Sequence, residues 1–238
     1  MGGSCPCHTC HTKEFGIFSS LSNEELLKIK EVTHHHSYRK HQIIFHEDSP
    51  CQGFHILRSG RAKLIKSSGS GRQVILKIVN PAGFVGEHAV FENRPYAFTT
   101  QAMEDSEICF INKDDFFRVI KERSQVLLRV MSILSGELRA AREQIIDMAL
   151  RNARERMACL IMGLAGEYGR AKDSGIVLEL SLTRGELAEM IGVSQETAIR
   201  LVSEFKEIGL IDTNGRQMTI LNEKGMMAAA AGEQLTLD

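Results

Sequence analysis

The most regular apolar pattern in the chain runs from Ser124 to Leu150, a stretch that contains no proline. Its apolar side chains recur in alternating steps of four and three residues, which is the heptad pattern of a helix that packs against a second helix. The seam consists of Leu127, Met131, Leu134, Leu138, Ala141, Ile145 and Met148. Such a helix would be roughly 40 Å long. We therefore expect it to pair with a second copy of the chain, and a long core helix inside one subunit is the alternative.

The chain before this helix predicts one short helix and then many short strands. Ser22 and Glu25 form a capping-box pattern at the start of the helix, and the histidine triplet at 34–36 is interpreted as its polar end rather than as a metal site. Strands are predicted at 42–45, 53–57, 62–65, 74–79, 96–102 and 107–111. Short strands at regular spacing predict a small antiparallel barrel or sandwich. A helix over 113–122 then leads into the long one.

The chain after the long helix predicts a winged helix-turn-helix. A helix is predicted over 152–168, a loop over 169–175 and a weak strand at 176–180. Thr183 begins a helix that ends at Gly192, and Ser194 begins a second helix that ends at Gly209. A tight hairpin turn is favoured by Asn214 and the glycine after it. Helix, glycine turn, helix and hairpin in this order are typical of that motif.

The second helix of the motif would read DNA with Gln195, Glu196, Ile199 and Arg200, which lie near its N-terminal end. Glutamate accepts a hydrogen bond from N4 of cytosine, and arginine bridges O6 and N7 of guanine. Glu196 and Arg200 would therefore read G·C pairs, and Ile199 would touch a thymine methyl group. The alternative for Glu196 and Arg200 is an ordinary ion pair on a helix surface.

Phosphate contacts have to come from a few placed groups, because residues 184–216 carry four basic and six acidic side chains. The candidates are Arg184, Ser194, Thr197 and Lys206, together with backbone amides at the starts of helices. The net charge of the whole chain is −1, so bulk charge gives no indication of nucleic-acid binding.

Composition places the chain among ordinary globular proteins, with 43% hydrophobic and 25% charged residues in 238. No apolar run approaches the roughly 18 residues of a membrane span, and the N-terminus lacks the pattern of a signal peptide. We expect a cytoplasmic protein without a membrane partner, in which the six cysteines are thiols or ligands rather than a disulfide framework. No nucleophile paired with a base and no phosphate-binding loop is recognisable, so we do not expect an enzyme.

The order of these elements resembles the CRP/FNR superfamily of bacterial transcription regulators. The most specific segments are SGELRAAREQI, NARERMACLI and LTRGELAEMIGVSQETAIRLVSEFKEIGLI. Within the last one, G-x-S-x-E-T-x-x-R is the strongest motif, and it implies base-reading roles for Glu196 and Arg200. Ile199 matches neither the serine of FNR nor the glycine of CRP.

The resemblance implies a homodimer that binds a roughly palindromic DNA site and works with RNA polymerase. It implies an α+β chain with an antiparallel β-roll, a dimerisation helix and a winged helix-turn-helix. We predict a cysteine-rich arm over 1–14, the β-roll over 15–122, the dimerisation helix over 123–151 and the DNA-binding domain over 152–238. FNR-like proteins carry an acidic residue in the seam where Ala141 lies here, so we expect a dimer that persists without its cofactor.

The cysteine-rich arm over residues 1–14 indicates which signal the protein would sense. Cys5, Cys7 and Cys10, with Cys109 on the last predicted strand, resemble the ligands of the [4Fe–4S] cluster in FNR oxygen sensors. The arm spacing is tighter than in the best-known members, and Cys5 is the least certain ligand. The alternatives are a zinc ion on Cys7 and Cys10 with His8, His11 or Cys109, a dithiol switch, a haem, or a disordered tail.

Other candidate groups are assigned smaller roles. Cys51 is expected to be a free thiol and a reserve ligand, and Cys159 a small core residue. His88 is the pocket residue that a haem would use. A cyclic-nucleotide-like regulatory module without DNA binding is the alternative from a different functional class, because the β-roll also occurs on kinases and channels.

Cyclic AMP is not expected to be the effector. The CRP-like pocket needs a Gly-Glu pair, present here as Gly86 and Glu87, and an Arg-Ser pair that holds the cyclic phosphate. Pro95 and Tyr96 lie at the Arg-Ser positions, and proline has no amide hydrogen to donate.

Overall fold

The computed structural model of the protein describes residues 16–19, 21–122 and 124–233. These residues form two compact units that divide within the long helix, after Leu138. The strands of the N-terminal unit are β1 (Thr33–Tyr38), β2 (Ile43–Phe45), β3 (Gly53–Ser59), β4 (Ala62–Ser67), β5 (Gln73–Val79), β6 (Phe84–Val85), β7 (Thr99–Ala102) and β8 (Ser106–Asn112). Its helices are α1 (Asn23–Glu31), α2 (Glu87–Glu92), α3 (Lys113–Glu122) and the first part of α4 (Ser124–Leu150).

The strands of the N-terminal unit form two antiparallel four-stranded sheets, in the orders β1-β8-β3-β6 and β2-β7-β4-β5. An inter-sheet core fills the space between them, with Leu57 and Ile108 from the first sheet and Leu64 and Val79 from the second. The predicted antiparallel barrel or sandwich is therefore confirmed.

A second core, called the outer core below, covers the opposite face of the β1-β8-β3-β6 sheet. Side chains alternate across a strand, so Phe54 and Ile56 of β3 and Cys109 and Ile111 of β8 point to this face. The residues that cover them are Ile17, Phe18, Leu21, Leu26, Ile29, Phe116, Val126 and Val130. The outer core thus joins the segment after the arm, the sheet and the start of α4.

The interpretation of the histidine triplet as the end of the first helix is wrong. Helix α1 ends at Glu31 and is capped by Val32, whose amide donates to the carbonyl of Ile29 (3.2 Å). The Thr33 hydroxyl donates to the same oxygen (2.6 Å). The chain then forms β1, which pairs with β8 over its full length. Because this edge strand is mostly exposed, its polar sequence gives no apolar periodicity.

The boundaries of several other strands and helices differ from those predicted from the sequence, because the pairing of strands determines them. Strand β6 and helix α2 were not predicted, and β7 begins at Thr99 rather than at 96. The predicted loop over 169–175 contains a strand that forms a hairpin with the next one. Its turn includes Gly175, whose φ of +120° is accessible mainly to glycine.

The C-terminal unit is the predicted winged helix-turn-helix with additional strands. Its helices after α4 are α5 (Ala153–Tyr168), α6 (Arg184–Ile191), α7 (Gln195–Glu207) and α8 (Glu223–Ala230). Its strands β9 (Gly169–Lys172), β10 (Gly175–Leu178), β11 (Ile211–Asn214) and β12 (Gln217–Ile220) form a sheet in the order β11-β12-β10-β9. None of the helices in the described residues is long and apolar enough to cross a membrane.

Candidate DNA-binding and sensor sites

Helix α7 is held in the C-terminal unit by its apolar face and by two ion pairs. Ala198 and Phe205 are fully buried. Arg154 of α5 pairs with Glu204 (2.6 Å), and its guanidinium lies 5.4 Å from the ring centroid of Phe205. Two residues further along the same end of the helix, Lys206 pairs with Asp212 of β11 (2.9 Å). Lys206, a candidate phosphate contact from the sequence, is therefore engaged with the wing.

The start of α7 is fixed by the caps that the sequence predicts. Gly192 adopts a left-handed conformation with φ of +71°, which closes the turn between the two helices. The Ser194 hydroxyl accepts a hydrogen bond from the amide of Thr197 (3.2 Å) and lies 3.1 Å from its hydroxyl. The caps leave Gln195, Glu196, Ile199 and Arg200 on the exposed face of the helix.

The exposed face carries both hydrogen-bonding and apolar groups. Within the described residues, Glu196 and Arg200 form no ion pair with each other, which argues against the simple surface pair. The backbone amide of Glu196 and the hydroxyl of Ser194 donate to the Glu196 carboxylate and hold its pKa below the usual range. Its carboxylate is therefore an acceptor at neutral pH. Ile199 is 45% exposed, so an apolar group stands free between the two polar ones.

A groove of about 350 Å³ separates the start of α7 from the start of α6 and the tip of the wing. Gln195 and Ile199 line one side, and Arg184 and Arg216 line the others. Burial lowers the pKa of the Arg184 guanidinium. Arg216 was not among the sequence candidates, although its place directly after the Asn-Gly turn was a signal for the wing tip.

Helix α4 presents the predicted seam as an exposed stripe, with one exception. Met131, Leu138 and Ile145 are 57%, 53% and 66% exposed. Leu134 instead packs partly against the outer core of its own unit. Exposed apolar residues also lie beside the predicted seam, at Leu128, Ile146 and Leu150, so the free apolar surface of the helix is wider than the heptad.

Some of the sensor candidates lie within the described residues and others lie outside them. Cys5, Cys7 and Cys10 lie outside the described residues, whereas Cys109 is buried on β8 in the outer core. Its sulfur lies 3.5 Å from Nδ1 of His35, its cross-strand neighbour on β1. His35 was not predicted, because the triplet was assigned to a helix.

The remaining cysteines have different surroundings. Cys51 is half-buried beside the outer core, and Cys159 is half-buried on α5 with its sulfur 3.8 Å from the carbonyl oxygen of Ala230. Burial raises the pKa of both thiols, which disfavours the thiolate that metals bind. Within the described residues, no group of three His, Cys, Asp or Glu side chains is arranged to hold a metal ion.

The region that corresponds to a cyclic-nucleotide pocket is filled by aromatic side chains. Tyr96 is 3% exposed, and its ring stacks on Phe45 with centroids 4.0 Å apart. Its hydroxyl donates to the carbonyl of Gly53 (3.1 Å), and burial raises its pKa to about 12. The cavity beside it has a volume of about 10 Å³, which is room for one water molecule.

Two polar atoms of this cavity wall have no hydrogen-bond partner in the described structure, Oε2 of Glu87 and Oγ1 of Thr100. Burial raises the pKa of Glu87, whose other oxygen lies 3.4 Å from Nε2 of His88. The wall therefore provides one buried carboxyl and one hydroxyl, but no buried cation for a cyclic phosphate.

Two family models match the chain. Residues 35–123 match the cyclic nucleotide-binding domain, and residues 155–229 match the Crp-like helix-turn-helix domain. The anaerobic regulatory protein of Haemophilus influenzae is 26% identical over 230 residues, which cover 95% of this chain and 89% of that protein. The transcriptional activator protein anr of Pseudomonas aeruginosa is 23% identical over 228 residues, which cover 95% of this chain and 93% of that protein.

Solved structures show the same fold. FixK2 from Bradyrhizobium japonicum has a TM-score of 0.73 at 20% identity and covers 87% of this chain and 100% of its own. A mutant of CooA from Carboxydothermus hydrogenoformans has a TM-score of 0.75 at 21% identity, covering 89% of this chain and 91% of its own. The predicted fold class, an antiparallel β domain with a long helix and a C-terminal helix-turn-helix, is confirmed.

Cyclic AMP can be used to test whether the aromatic side chains in this pocket exclude a cyclic nucleotide. We expect a large excess of cyclic AMP to leave the thermal midpoint of the N-terminal unit unchanged, because Tyr96 and Phe45 occupy the space and no buried cation faces it. A ligand present at about 100 times its Kd would add about 2.7 kcal/mol to the stability. Thermal unfolding followed by circular dichroism measures this difference, and a midpoint raised by several degrees would contradict the expectation.

Proposed function

The chain belongs to the CRP/FNR family of transcription regulators, and we propose that it senses oxygen or redox state through a cysteine-ligated [4Fe–4S] cluster. Members of this family are transcription regulators and not enzymes, and the match over residues 155–229 makes the chain a DNA-binding protein. A β-roll module without DNA binding, the alternative from a different class, is excluded by that match. The observation that supports the sensing proposal is that Cys109 belongs to the same buried core as Ile17 and Phe18, which follow the arm in the sequence.

The donor set suits an iron–sulfur cluster. Cys5, Cys7, Cys10 and Cys109 provide four thiols, which is the number of ligands that such a cluster takes. Cys109 and Ile17 belong to the same outer core, and Cys10 lies seven residues before Ile17 in the sequence. Seven residues extend to at most about 25 Å, so the chain length allows the arm cysteines to reach Cys109.

The outer core would transmit the signal to α4. A bound cluster would supply a redox-reactive link between the arm and β8. Ile17 and Phe18 pack in the same core as Val126 and Val130 of α4, so loss of that link would free the segment and alter the packing under the helix. Because closely packed cores transmit displacement, the orientation of α4 would change and DNA affinity would fall.

The DNA contacts that we propose follow from the exposed face of α7. Glu196 and Arg200 would read G·C pairs, Ile199 would contact a thymine methyl group, and Gln195 would lie beside them. Phosphates would be held by Arg184 and Arg216, with Ser194 and Thr197 at the helix start. Two copies paired along α4 would place their recognition helices about 34 Å apart on a palindromic site, where the dimer would recruit or block RNA polymerase.

A zinc ion is the second candidate, and the contact between His35 and Cys109 favours it. Zinc holds sulfur at about 2.3 Å and nitrogen at about 2.0 Å in a tetrahedron, which places two such ligand atoms about 3.5 Å apart. Sγ of Cys109 and Nδ1 of His35 are separated by 3.5 Å. Cys7 and Cys10 would complete this alternative site.

The cofactor is tested by purifying the protein without oxygen and measuring iron, sulfide, zinc and visible absorbance. We expect about four iron and four sulfide per chain. Cys109→Ser should lose them because the serine hydroxyl is a poor iron ligand, whereas Cys159→Ser should keep them because Cys159 lies on α5 of the C-terminal unit. A colourless protein with one zinc per chain would overturn the cluster in favour of the second candidate.

Base reading by Arg200 is tested on a duplex obtained by selection from random DNA. We expect Arg200→Ala to lose about 1–3 kcal/mol of binding free energy on the selected site and to relax sequence preference there. Arg216→Ala is the control, because a phosphate contact weakens binding on all sequences alike. Fluorescence anisotropy with selected and unrelated duplexes separates the two effects. If Arg200→Ala lost the same free energy on both duplexes, its role would be reduced to phosphate contact.

The dimer surface is tested by sedimentation of the cofactor-free protein. We expect dimers at micromolar concentration, because the seam has Ala141 and no acidic residue to repel a second copy. Ile145→Glu should yield monomers, since it places a charge in an apolar interface. Ala140→Glu introduces the same charge at an exposed position, on the side of the helix that faces away from Leu128 and Ile146, and should leave the dimer intact. Monomers of the unsubstituted protein would refute the persistent dimer.

A further inference from the structure

The contact between His35 and Cys109 is a direct consequence of strand pairing. His35 of β1 lies opposite Cys109 of β8, which in turn lies opposite Ile56 of β3. Side chains of directly opposed residues share a face, with Cβ atoms about 4.5–5.5 Å apart. The backbone ladder therefore places the two side chains next to each other on the same face of the sheet.

The two neighbouring histidines point to the other face of the same strand. The rings of His34 and His36 lie 6.5 and 6.3 Å from the ring of Phe110, measured between centroids. His35 is thus the member of the triplet that meets the candidate ligand. We infer that the Nδ1–H of His35 donates a hydrogen bond to the sulfur of Cys109 and positions and tunes it as a cluster ligand, an inference that rests on the proposed function.

The apolar surroundings of the sulfur favour such a donor. Cys109 is 8% exposed, and Phe54, Ile56 and Ile111 are neighbours in the same apolar core. Negative charge on a buried sulfur is costly in apolar surroundings unless a hydrogen bond compensates it. A sulfur bound to iron carries no proton and only accepts, so the direction of the bond is fixed.

A donor role agrees with the cluster better than a ligand role for the imidazole. Four cysteines already complete the ligand set of a [4Fe–4S] cluster, so no iron remains for His35. Hydrogen bonds to ligand sulfurs are among the groups that set cluster potential, because they stabilise the more negative reduced form. Outer partners of metal ligands typically change metal affinity by about 10–100-fold when removed.

The experiment compares His35→Leu, His35→Asn and His34→Leu in the full chain, purified without oxygen. Leucine removes the donor, whereas the side-chain amide nitrogen of asparagine lies close to the position of Nδ1 and restores it. His34→Leu is the matched control, since it removes a neighbouring imidazole from the opposite face. The readouts are iron and sulfide content, the midpoint potential, and the rate of iron loss to a chelator.

We expect all three variants to load iron and sulfide. His35→Leu should have a more negative midpoint potential and lose iron about 10-fold faster, while His35→Asn and His34→Leu should remain close to the unsubstituted protein. Rescue by asparagine would support the hydrogen bond. If the effect of leucine came from altered strand packing alone, restoring an N–H donor at this position would not reverse it.

Three results would overturn the inference. If His35→Leu matched a loaded, unsubstituted protein in potential and iron loss, the hydrogen bond would have no role. If both His35 variants lost the cofactor while the unsubstituted protein kept it, His35 would be a ligand and not a donor. If the unsubstituted protein held no iron at all, the proposed cluster would fail together with this inference, and that result is distinct from the other two.

Discussion

Packing of the outer core against one face of the β1-β8-β3-β6 sheet is the constraint on which the N-terminal unit depends. The core brings together Ile17 from the segment after the arm, Cys109 from β8 and Val130 from α4. All three are nearly inaccessible to solvent, and a core of this density has little free volume to absorb a displacement. A change at the cysteine therefore has a physical route to the helix that does not require an effector in the β-roll.

The same turns of the helix carry a buried and an exposed face, because consecutive residues point about 100° apart. Val126 and Val130 are buried in the outer core, whereas Leu127 and Met131, one position further along, are exposed. The outer core thus sets the rotation of α4 about its axis, and this rotation decides which apolar residues a second copy would meet.

Sequence alone predicts the elements whose signals are local. The caps at Thr183 and Ser194, and the glycine at 192, specify the helix-turn-helix because each acts through adjacent backbone groups. Edge strand β1 was missed because its pairing partner, β8, lies about seventy residues away in sequence, and an exposed polar strand carries no apolar pattern. Arg216 and His35 were missed for related reasons, since both reach their sites through tertiary pairing, whereas Cys109 was found only through the family resemblance.

The excess of acidic over basic side chains in the DNA-binding motif opposes phosphate binding less than the residue count indicates, because some of the carboxylates are already in ion pairs. Glu204 and Asp212 are paired with Arg154 and Lys206, so these carboxylates are neutralised by the pairs that hold α7 in place. Arg184 and Arg216 line the open groove.

A few arginines per copy neutralise few phosphates, and each phosphate contact adds only a modest, salt-dependent share of affinity. One copy would therefore bind weakly at physiological salt, and two copies held by α4 would sum their contacts on one site. In the proposed dimer, the seam on α4 would therefore be as necessary for DNA binding as the residues of α7. A signal that changes the pairing of α4 can then control DNA affinity without touching the recognition helix.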